Sequence, residues 1–312
     1  MNVIWHYPAG PELKRRLAGL NDRGLSVTVC EPADGNRFRE LLPAAEAIWH
    51  LLEPLTAEII ASAPRLRLIQ KIGVGVNTID LEAARRSGVA VCNMPGTNTR
   101  AVAEMTLLLM LGALRRANRL DAEARAGWNL PPAFQDHAGE VCGRTVGLVG
   151  YGAVPRRLAP LLQAMGARVL YASRSPKPDA VGERVTLDAL LGASDIVSLH
   201  VPLAPDTERL IDAGAIARMK PGAVLVNTAR GALVDEAALV EALRSGRLGA
   251  AGLDVFKAEP ATAGNPLFGL DNVVCSPHVA WLTRETLERS LAVAVENCRR
   301  LEAGGDLLHR VA

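Results

Sequence analysis

The sequence predicts an α/β protein built from two doubly wound parallel-sheet domains, and three observations lead there. The chain has 312 residues, 49% of them apolar, enough to bury two cores. Short β-branched runs alternate with helical patterns that end in glycine, and this alternation occurs twice. A turn-rich segment, Asn93-Met94-Pro95-Gly96-Thr97-Asn98, separates the two series.

In chain order, the first series has strand patterns at 2–5, 26–29, 47–49, 66–70 and 89–92, with helical stretches such as 11–23 and 81–87 between them. A long helical pattern then runs over 99–126, too apolar on one side to be a free linker. It is expected to bridge the domains, and its excess of apolar surface suggests a homodimer. The second series has strands at 145–149, 168–171, 196–200, 223–227, 251–255 and 273–275. Six strands with helices between them are the inventory of a dinucleotide-binding sheet. The last pattern, 284–302, is an amphipathic helix stopped at Gly304–Gly305. It is expected to return to the first domain, giving a substrate domain of 1–98 plus 283–312 and a dinucleotide-binding domain of 99–282.

Charge and cysteine content narrow the function classes. With 35 basic and 33 acidic residues and no long like-charge block, neither a nucleic-acid nor a membrane-surface partner is expected, which leaves a small molecule. Five scattered cysteines, Cys30, Cys92, Cys142, Cys275 and Cys298, form no CxxC pair and are odd in number, so no disulfide framework and no metal site are expected. The apolar run 105–114 is too short to span a bilayer and no targeting pattern opens the chain, so a cytoplasmic location is expected.

The strongest local motif is Gly147-Leu148-Val149-Gly150-Tyr151-Gly152-Ala153-Val154-Pro155, where an apolar strand breaks into a glycine turn and opens a helix. Glycines let backbone N–H groups approach a pyrophosphate, and the helix start adds partial positive charge, so Gly150, Gly152, Ala153 and Val154 are expected to bind a dinucleotide. Pro155 stands where such turns usually carry a third small residue, a departure that the first helical turn tolerates. After the next strand pattern, a site preferring NAD would place an acid for the ribose 2′-hydroxyl. Here Ser173, Arg174 and Ser175 stand instead, a hydroxyl and a guanidinium suited to a 2′-phosphate, so NADP is expected to be preferred, with NAD also usable.

The order of segments resembles the D-isomer-specific 2-hydroxyacid dehydrogenases over nearly the whole chain. The resemblance rests on Ile72-Gly73-Val74-Gly75-Val76-Asn77, the 93–98 turn, Val102-Ala103-Glu104, the glycine turn and Leu199-His200-Val201-Pro202-Leu203. Its most specific parts are Asn227-Thr228-Ala229-Arg230-Gly231, the segment from Gly252 through Asp254 to Glu259-Pro260, and Ser276-Pro277-His278. Arg230 and Glu259 lie 29 residues apart, and Glu259 and His278 lie 19 apart, separations like the family's. The resemblance implies a flavodoxin-like substrate domain and a Rossmann coenzyme domain joined by two crossing helices. It further implies cofactor contacts from Val201, Pro202, Thr228 and Ala229, with Asp254 on the nicotinamide carboxamide. The Val74 and Gly75 N–H groups would hold the substrate carboxylate.

The chemistry such an enzyme performs requires this residue set. Reducing a 2-keto acid needs a cation on the carboxylate and carbonyl, a proton donor to the developing alkoxide and a hydride held over the carbon. Arg230, at a strand end, supplies a planar fork of donors. His278 is expected to give the proton, because imidazole exchanges one near neutral pH, and Glu259 to orient the ring and favour its charged form. Taken singly, each has an ordinary alternative: Arg230 at a strand end, Glu259 in a solvated loop, His278 as a core histidine. His200 reads as structural, Leu51 and Leu52 as core, and Trp281 equally as pocket wall or domain packing. A formate dehydrogenase would carry an amide at position 259, and a nicotinamide-sensing corepressor of the same fold would not turn over substrate. The expected activity is reduction of a small 2-keto acid to the (R)-2-hydroxy acid, with glyoxylate and hydroxypyruvate as first substrates by analogy.

Overall fold

A computed structural model describes residues 1–130 and 132–312. The chain divides into two compact units, Met1–Asn98 with Thr283–Ala312, and Thr99–Leu282.

The first unit holds strands β1 (Asn2–His6), β2 (Ser26–Cys30), β3 (Ala47–His50), β4 (Leu68–Lys71) and β5 (Ala90–Cys92), and helices α1 (Pro11–Ala18), α2 (Gly35–Leu41), α3 (Ala57–Ala61) and α4 (Leu81–Arg86). Its sheet runs β2-β1-β3-β4-β5, with every pairing parallel. In the second unit, α5 (Thr99–Arg115) and α6 (Ala117–Gly127) precede the strands β6 (Thr145–Val149), β7 (Arg168–Ala172), β8 (Glu183–Arg184), β9 (Ile196–Leu199), β10 (Ala223–Asn227), β11 (Leu248–Leu253) and β12 (Val273–Cys275). Its sheet runs β12-β11-β10-β9-β6-β7-β8, again wholly parallel. Between these strands lie α7 (Ala153–Ala164), α8 (Leu187–Ala193), α9 (Ala213–Arg218) and α10 (Glu236–Arg244); α11 (Arg284–Glu302) belongs to the first unit.

The interior strands β3, β4, β9 and β10 are buried at every residue, as strands covered on both faces must be, and they enclose the polar side chains of His50, Gln70, Lys71, Ser198 and Asn227 among apolar ones. Helix starts follow the sequence closely. Asp34, Thr56, Asp80, Thr186, Asp212, Asp235 and Thr283 each accept a bond from a backbone N–H of the turn they open, each cap being worth about 1 kcal/mol.

Three elements depart from the sequence expectation. The helix expected over 99–126 is two, because Arg116 adopts a left-handed φ of 46° and breaks the run. No glycine or proline marks that break, so periodicity reads straight through it. A seventh strand, β8, is only two exposed polar residues long and has no apolar pattern to betray it. Strand β11 starts at Leu248 rather than 251 and includes two glycines. A Cβ on Gly249 would lie 2.5 Å from the Gly222 carbonyl oxygen, and one on Gly252 2.7 Å from that of Leu109 in α5. Those glycines serve close packing rather than a turn.

In both sheets the strand order reverses at one place, between β1 and β3 and between β6 and β9, and ligands of such sheets bind beyond the carboxyl ends of the strands there. The residues singled out in the sequence follow these carboxyl ends: Val74 after β4, Gly150 after β6, Ser173 after β7, Val201 after β9, Arg230 after β10, Asp254 after β11 and His278 after β12.

Candidate active site

The glycine turn is built by close approach. Gly150 has a φ of 95°, and a Cβ there would sit 2.7 Å from the His200 carbonyl oxygen. Backbone bonds from Gly150 N to Ala172 O (2.8 Å) and from His200 N to Val149 O (2.7 Å) fix the three strand ends together. Gly152 then caps α7 in extended conformation, with no side chain bonded to the first-turn amides and nothing within 4 Å of where its Cβ would be. The first N–H groups of α7, from Ala153 and Val154 onward, therefore open an anion cradle. Pro155 is buried in that first turn, where an N–H has no partner within the helix, so the departure noted in the sequence leaves the cradle intact. Tyr151 was not singled out by its sequence. Its hydroxyl donates to Val181 O at 3.0 Å and accepts from Val181 N at 2.7 Å, which pins the turn to the loop beyond β7.

Beyond β7 lies a groove of about 590 Å³ lined by Val149, Ser173, Arg174, Arg184, Val201 and Thr207, among others. Ser173 Oγ donates to Ser175 O (2.7 Å), and Lys177 Nζ to Ser175 Oγ (3.0 Å). Arg184 reaches back from β8 to donate to the Ser173 and Arg174 carbonyls. Three basic side chains thus gather at this strand end, where the sequence offered Arg174 alone; Arg184 escaped notice because it belongs to the two-residue strand. Arg174 is exposed and lies 3.8 Å from the Asp206 carboxylate, an acid that competes for it. Thr207 shapes the opposite wall by donating to Pro202 O (2.7 Å) and accepting from Ala204 N (2.8 Å), so Val201 and Pro202 sit in a pinned loop. Burial pushes His200 down to about 3, and its Nε2 lies 2.9 Å from Ser198 Oγ, a neutral structural role.

Arg230 owes its position to Asn227, whose side chain accepts from Ala229 N (3.0 Å) and donates to Arg230 O (2.8 Å). Thr228 is buried with its Oγ1 2.9 Å from that of Thr106 in α5. Gly231 follows because no side chain fits: a Cβ would lie 1.9 Å from the Phe256 carbonyl carbon. Burial lowers the half-buried Arg230 guanidinium from its ordinary value and Glu259 opposes this, while a guanidinium stays charged throughout.

Asp254 is fully buried and organises the turn that presents the histidine. Its Oδ1 accepts from Ser276 Oγ (2.6 Å) and Val279 N (2.9 Å), its Oδ2 accepts from Ala280 N (2.9 Å), and its carbonyl accepts from His278 N (2.7 Å). Desolvation raises its carboxyl from the ordinary value against those bonds. This scaffold holds His278 at a φ of 55°, a left-handed conformation that costs a non-glycine residue about 1–3 kcal/mol. Trp281 adds a bond from its indole N–H to His278 O at 3.1 Å, so its indole braces the turn.

His278 Nδ1 and Glu259 Oε2 are 2.6 Å apart, and Glu259 Oε1 accepts from Phe256 N at 2.9 Å. The carboxylate thereby selects a ring with its proton on Nδ1 and presents Nε2 outward. Burial raises the Glu259 carboxyl, but the bond and charge of His278, the Phe256 N–H and the Arg230 charge outweigh it, and the net shift is downward. The structure therefore brings Arg230, Glu259 and His278 into one electrostatic cluster within the second unit.

In the first unit the two amides singled out are oriented by their own peptide planes. Met94 N donates to Gly73 O (2.8 Å), and Asn93 Nδ2 donates to Val74 O (2.9 Å). In a trans peptide the N–H points opposite to the C=O, so the Val74 and Gly75 N–H groups both turn away from β5. Leu51 is buried core. Among the described residues, no group of three or more His, Cys, Asp or Glu side chains could hold a metal ion, and no helix is long and apolar enough to cross a membrane.

Residues 107–280 match the model of the D-isomer specific 2-hydroxyacid dehydrogenase, NAD binding domain. The chain is 41% identical over 263 residues to a glyoxylate reductase of Aeropyrum pernix, covering 81% of this chain and 78% of that protein. It is 36% identical over 274 residues to a hydroxypyruvate reductase of Thermotoga maritima, covering 86% and 89%. With a D-3-phosphoglycerate dehydrogenase of Mycobacterium leprae it shares 38% identity over 293 residues, 92% of this chain but only 55% of that longer protein. Among solved structures, the TT0316 protein of Thermus thermophilus superimposes with a TM-score of 0.89 at 39% identity, covering 100% of both chains. Two parallel-sheet units, the glycine turn and these matches together place the chain in the D-isomer specific 2-hydroxyacid dehydrogenase family.

Proposed function

We propose that this protein reduces small 2-keto acids to (R)-2-hydroxy acids with a reduced nicotinamide dinucleotide, glyoxylate and hydroxypyruvate being the first substrates to test. The observation that carries the reading is the 2.6 Å pair between His278 Nδ1 and Glu259 Oε2 beside the Arg230 charge. A pyridine nucleotide suits the fold: the Gly150–Gly152 turn and the uncapped start of α7 form the cradle a pyrophosphate requires. When bound, that cofactor supplies the hydride. Arg230 neutralises the keto acid and polarises its carbonyl, with the Val74 and Gly75 amides as further carboxylate donors. His278 Nε2 gives its proton to the carbonyl oxygen as hydride reaches the carbon, and Glu259 stabilises the imidazolium that gives it. Asp254, fully buried, has three of roughly four carboxylate lone-pair positions filled by the 276–280 turn and supports the site by holding that turn.

For the cofactor we propose NADP over NAD, with the 2′-phosphate met by Ser173, Arg174 and Ser175, and by Arg184 and Lys177 beside them. The Arg174–Asp206 pair makes this preference modest. A cytoplasmic setting suits five cysteines that are all free. The non-enzymatic corepressor reading is set aside, since the relatives reported above are reductases and dehydrogenases. The test is a panel of 2-keto acids assayed with NADPH and NADH by loss of the reduced-nicotinamide absorbance, for the parent and for Ser173→Asp combined with Arg174→Ala. Turnover that favours NADPH in the parent and NADH in the double variant is expected. No turnover of any 2-keto acid would overturn the function, and an unchanged preference would overturn the cofactor assignment.

A further inference from the structure

In the first unit, β3 and β4 end side by side with His50 opposite Lys71. Lys71 is 5% exposed, an uncommon setting for an ammonium. Its Nζ donates to Leu51 O and lies 3.5 Å from both His50 Nδ1 and Thr78 Oγ1. His50 is fully buried, and its Nε2 bonds to Glu53 O. Desolvation, with the Lys71 charge adding to it, pushes His50 down to about 3, so the ring is neutral, with its proton on Nε2 and its Nδ1 lone pair facing the ammonium. One cation thus ties the loop after β3, through Leu51 and by way of His50 to Glu53, to Thr78 in the loop after β4. Backbone bonds from Leu55 N to Thr78 O (2.8 Å) and from Asp80 N to Leu55 O (3.0 Å) close the far end of the same two loops.

Between Lys71 and Thr78 lies the Gly73-Val74-Gly75 turn. A Cβ on Gly73 would lie 3.7 Å from Lys71 Cε, so the lysine stem lies beside Gly73 at the start of the turn. From the β5 side the turn is held by Met94 N and Asn93 Nδ2, both acting on its carbonyls. Lys71 ties the loop after β3 to Thr78, at the far end of the segment that contains the turn. A methionine would fill the same volume without the cost of desolvating a charge, so stability alone does not account for a lysine here.

We infer that Lys71 is a positioning residue for the substrate carboxylate: by locking the loops at 51–53 and 72–78 together, its ammonium fixes the direction of the Val74 and Gly75 N–H groups. The inference rests on the role given to those amides under the proposed function. It assigns no chemistry to Lys71, only the geometry of the donors.

The experiment compares the parent, Lys71→Met, Lys71→Arg and Thr78→Val. It reads kcat, the KM for the keto acid, the KM for the cofactor, and calorimetric binding of oxalate, a carboxylate probe with no reducible carbonyl, to the NADP-loaded protein. Lys71→Met is expected to raise the keto-acid KM and the oxalate Kd together by about ten-fold, with kcat and the cofactor KM within about two-fold of the parent. Thr78→Val should move the same two quantities by about three-fold, and Lys71→Arg should lie nearer the parent than Lys71→Met. An unchanged keto-acid KM and oxalate Kd in Lys71→Met, or a loss spread equally over kcat and both KM values, would overturn the inference. If Lys71→Met does not fold, an unshifted Thr78→Val overturns it. A parent inactive on every keto acid counts against the proposed function instead, and an active parent with an insensitive Lys71→Met counts against Lys71 alone.

Discussion

The pairing of His278 with Glu259 is an arrangement in which each side chain determines what the other can do. With Nδ1 held by the carboxylate, Nε2 is the ring nitrogen left unengaged by Glu259, and under the proposed function removing the imidazole removes the proton donor. His278→Ala and Arg230→Ala are each expected to lower kcat by about 100-fold or more, with circular dichroism and cofactor binding unchanged; steady-state kinetics of the purified variants checks this. The Glu259 carboxyl is held below its ordinary value. Its charge therefore persists while pH falls through the ordinary carboxylate range, whereas the stability that charge adds is full above that range, declines as pH falls through it and is gone once pH passes the lowered value. Glu259→Gln removes the negative partner that favours an imidazolium, so the alkaline limb of the pH–rate profile for reduction should move toward acid. An unmoved limb at full activity would take Glu259 out of the mechanism. The sequence singles these three residues out because each belongs to a fixed motif, and the structure brings them into one cluster. Tyr151 and Arg184 are not singled out, since each acts through a contact with a segment distant in sequence, Val181 in one case and the 173–174 carbonyls in the other.

Elements rather than residues carry the precision of the site. The strand ends were readable from alternation of apolar runs and glycine turns, and Thr145–Val149, Ala223–Asn227 and Val273–Cys275 fall where the sequence places them. What the pattern hides is close approach. Gly249, Gly252 and Gly231 each make room for a neighbouring backbone, which composition alone does not mark. The kink at Arg116 is invisible for a related reason, because a left-handed arginine carries no compositional mark. Gly231→Ala should therefore act as an overpacking change, pushing the Arg230 loop off the 254–257 segment. A loss of about 1–3 kcal/mol in urea denaturation is expected, together with a fall in kcat, although residue 231 contributes no functional group. Parent-like stability and turnover would show that the contact with Phe256 relaxes at little cost.

At the scale of the whole molecule, the second unit holds the Gly150–Gly152 turn, Arg230, Glu259 and His278, and the first holds the Gly73–Gly75 turn and Lys71. The second unit also exposes large apolar side chains, Leu108 on α5 and Trp128 and Leu130 after α6, Trp128 to 89%. Exposed aromatic and aliphatic groups of this size commonly mark association surfaces, and a homodimer through the second unit is the expected assembly. Light scattering at micromolar concentration should give twice the chain mass, with Trp128→Ser shifting it toward the monomer; a monomeric parent would contradict this. Reduction of a 2-keto acid to one hand of the product is the central claim, and a single measurement reaches it. Hydroxypyruvate is incubated with the protein and NADPH, and the glycerate formed is resolved on a chiral column and compared with the cofactor consumed. The expected result is (R)-glycerate alone, in equal amount to the NADPH oxidised. The (S) product, a racemate, or cofactor oxidation without glycerate would contradict it.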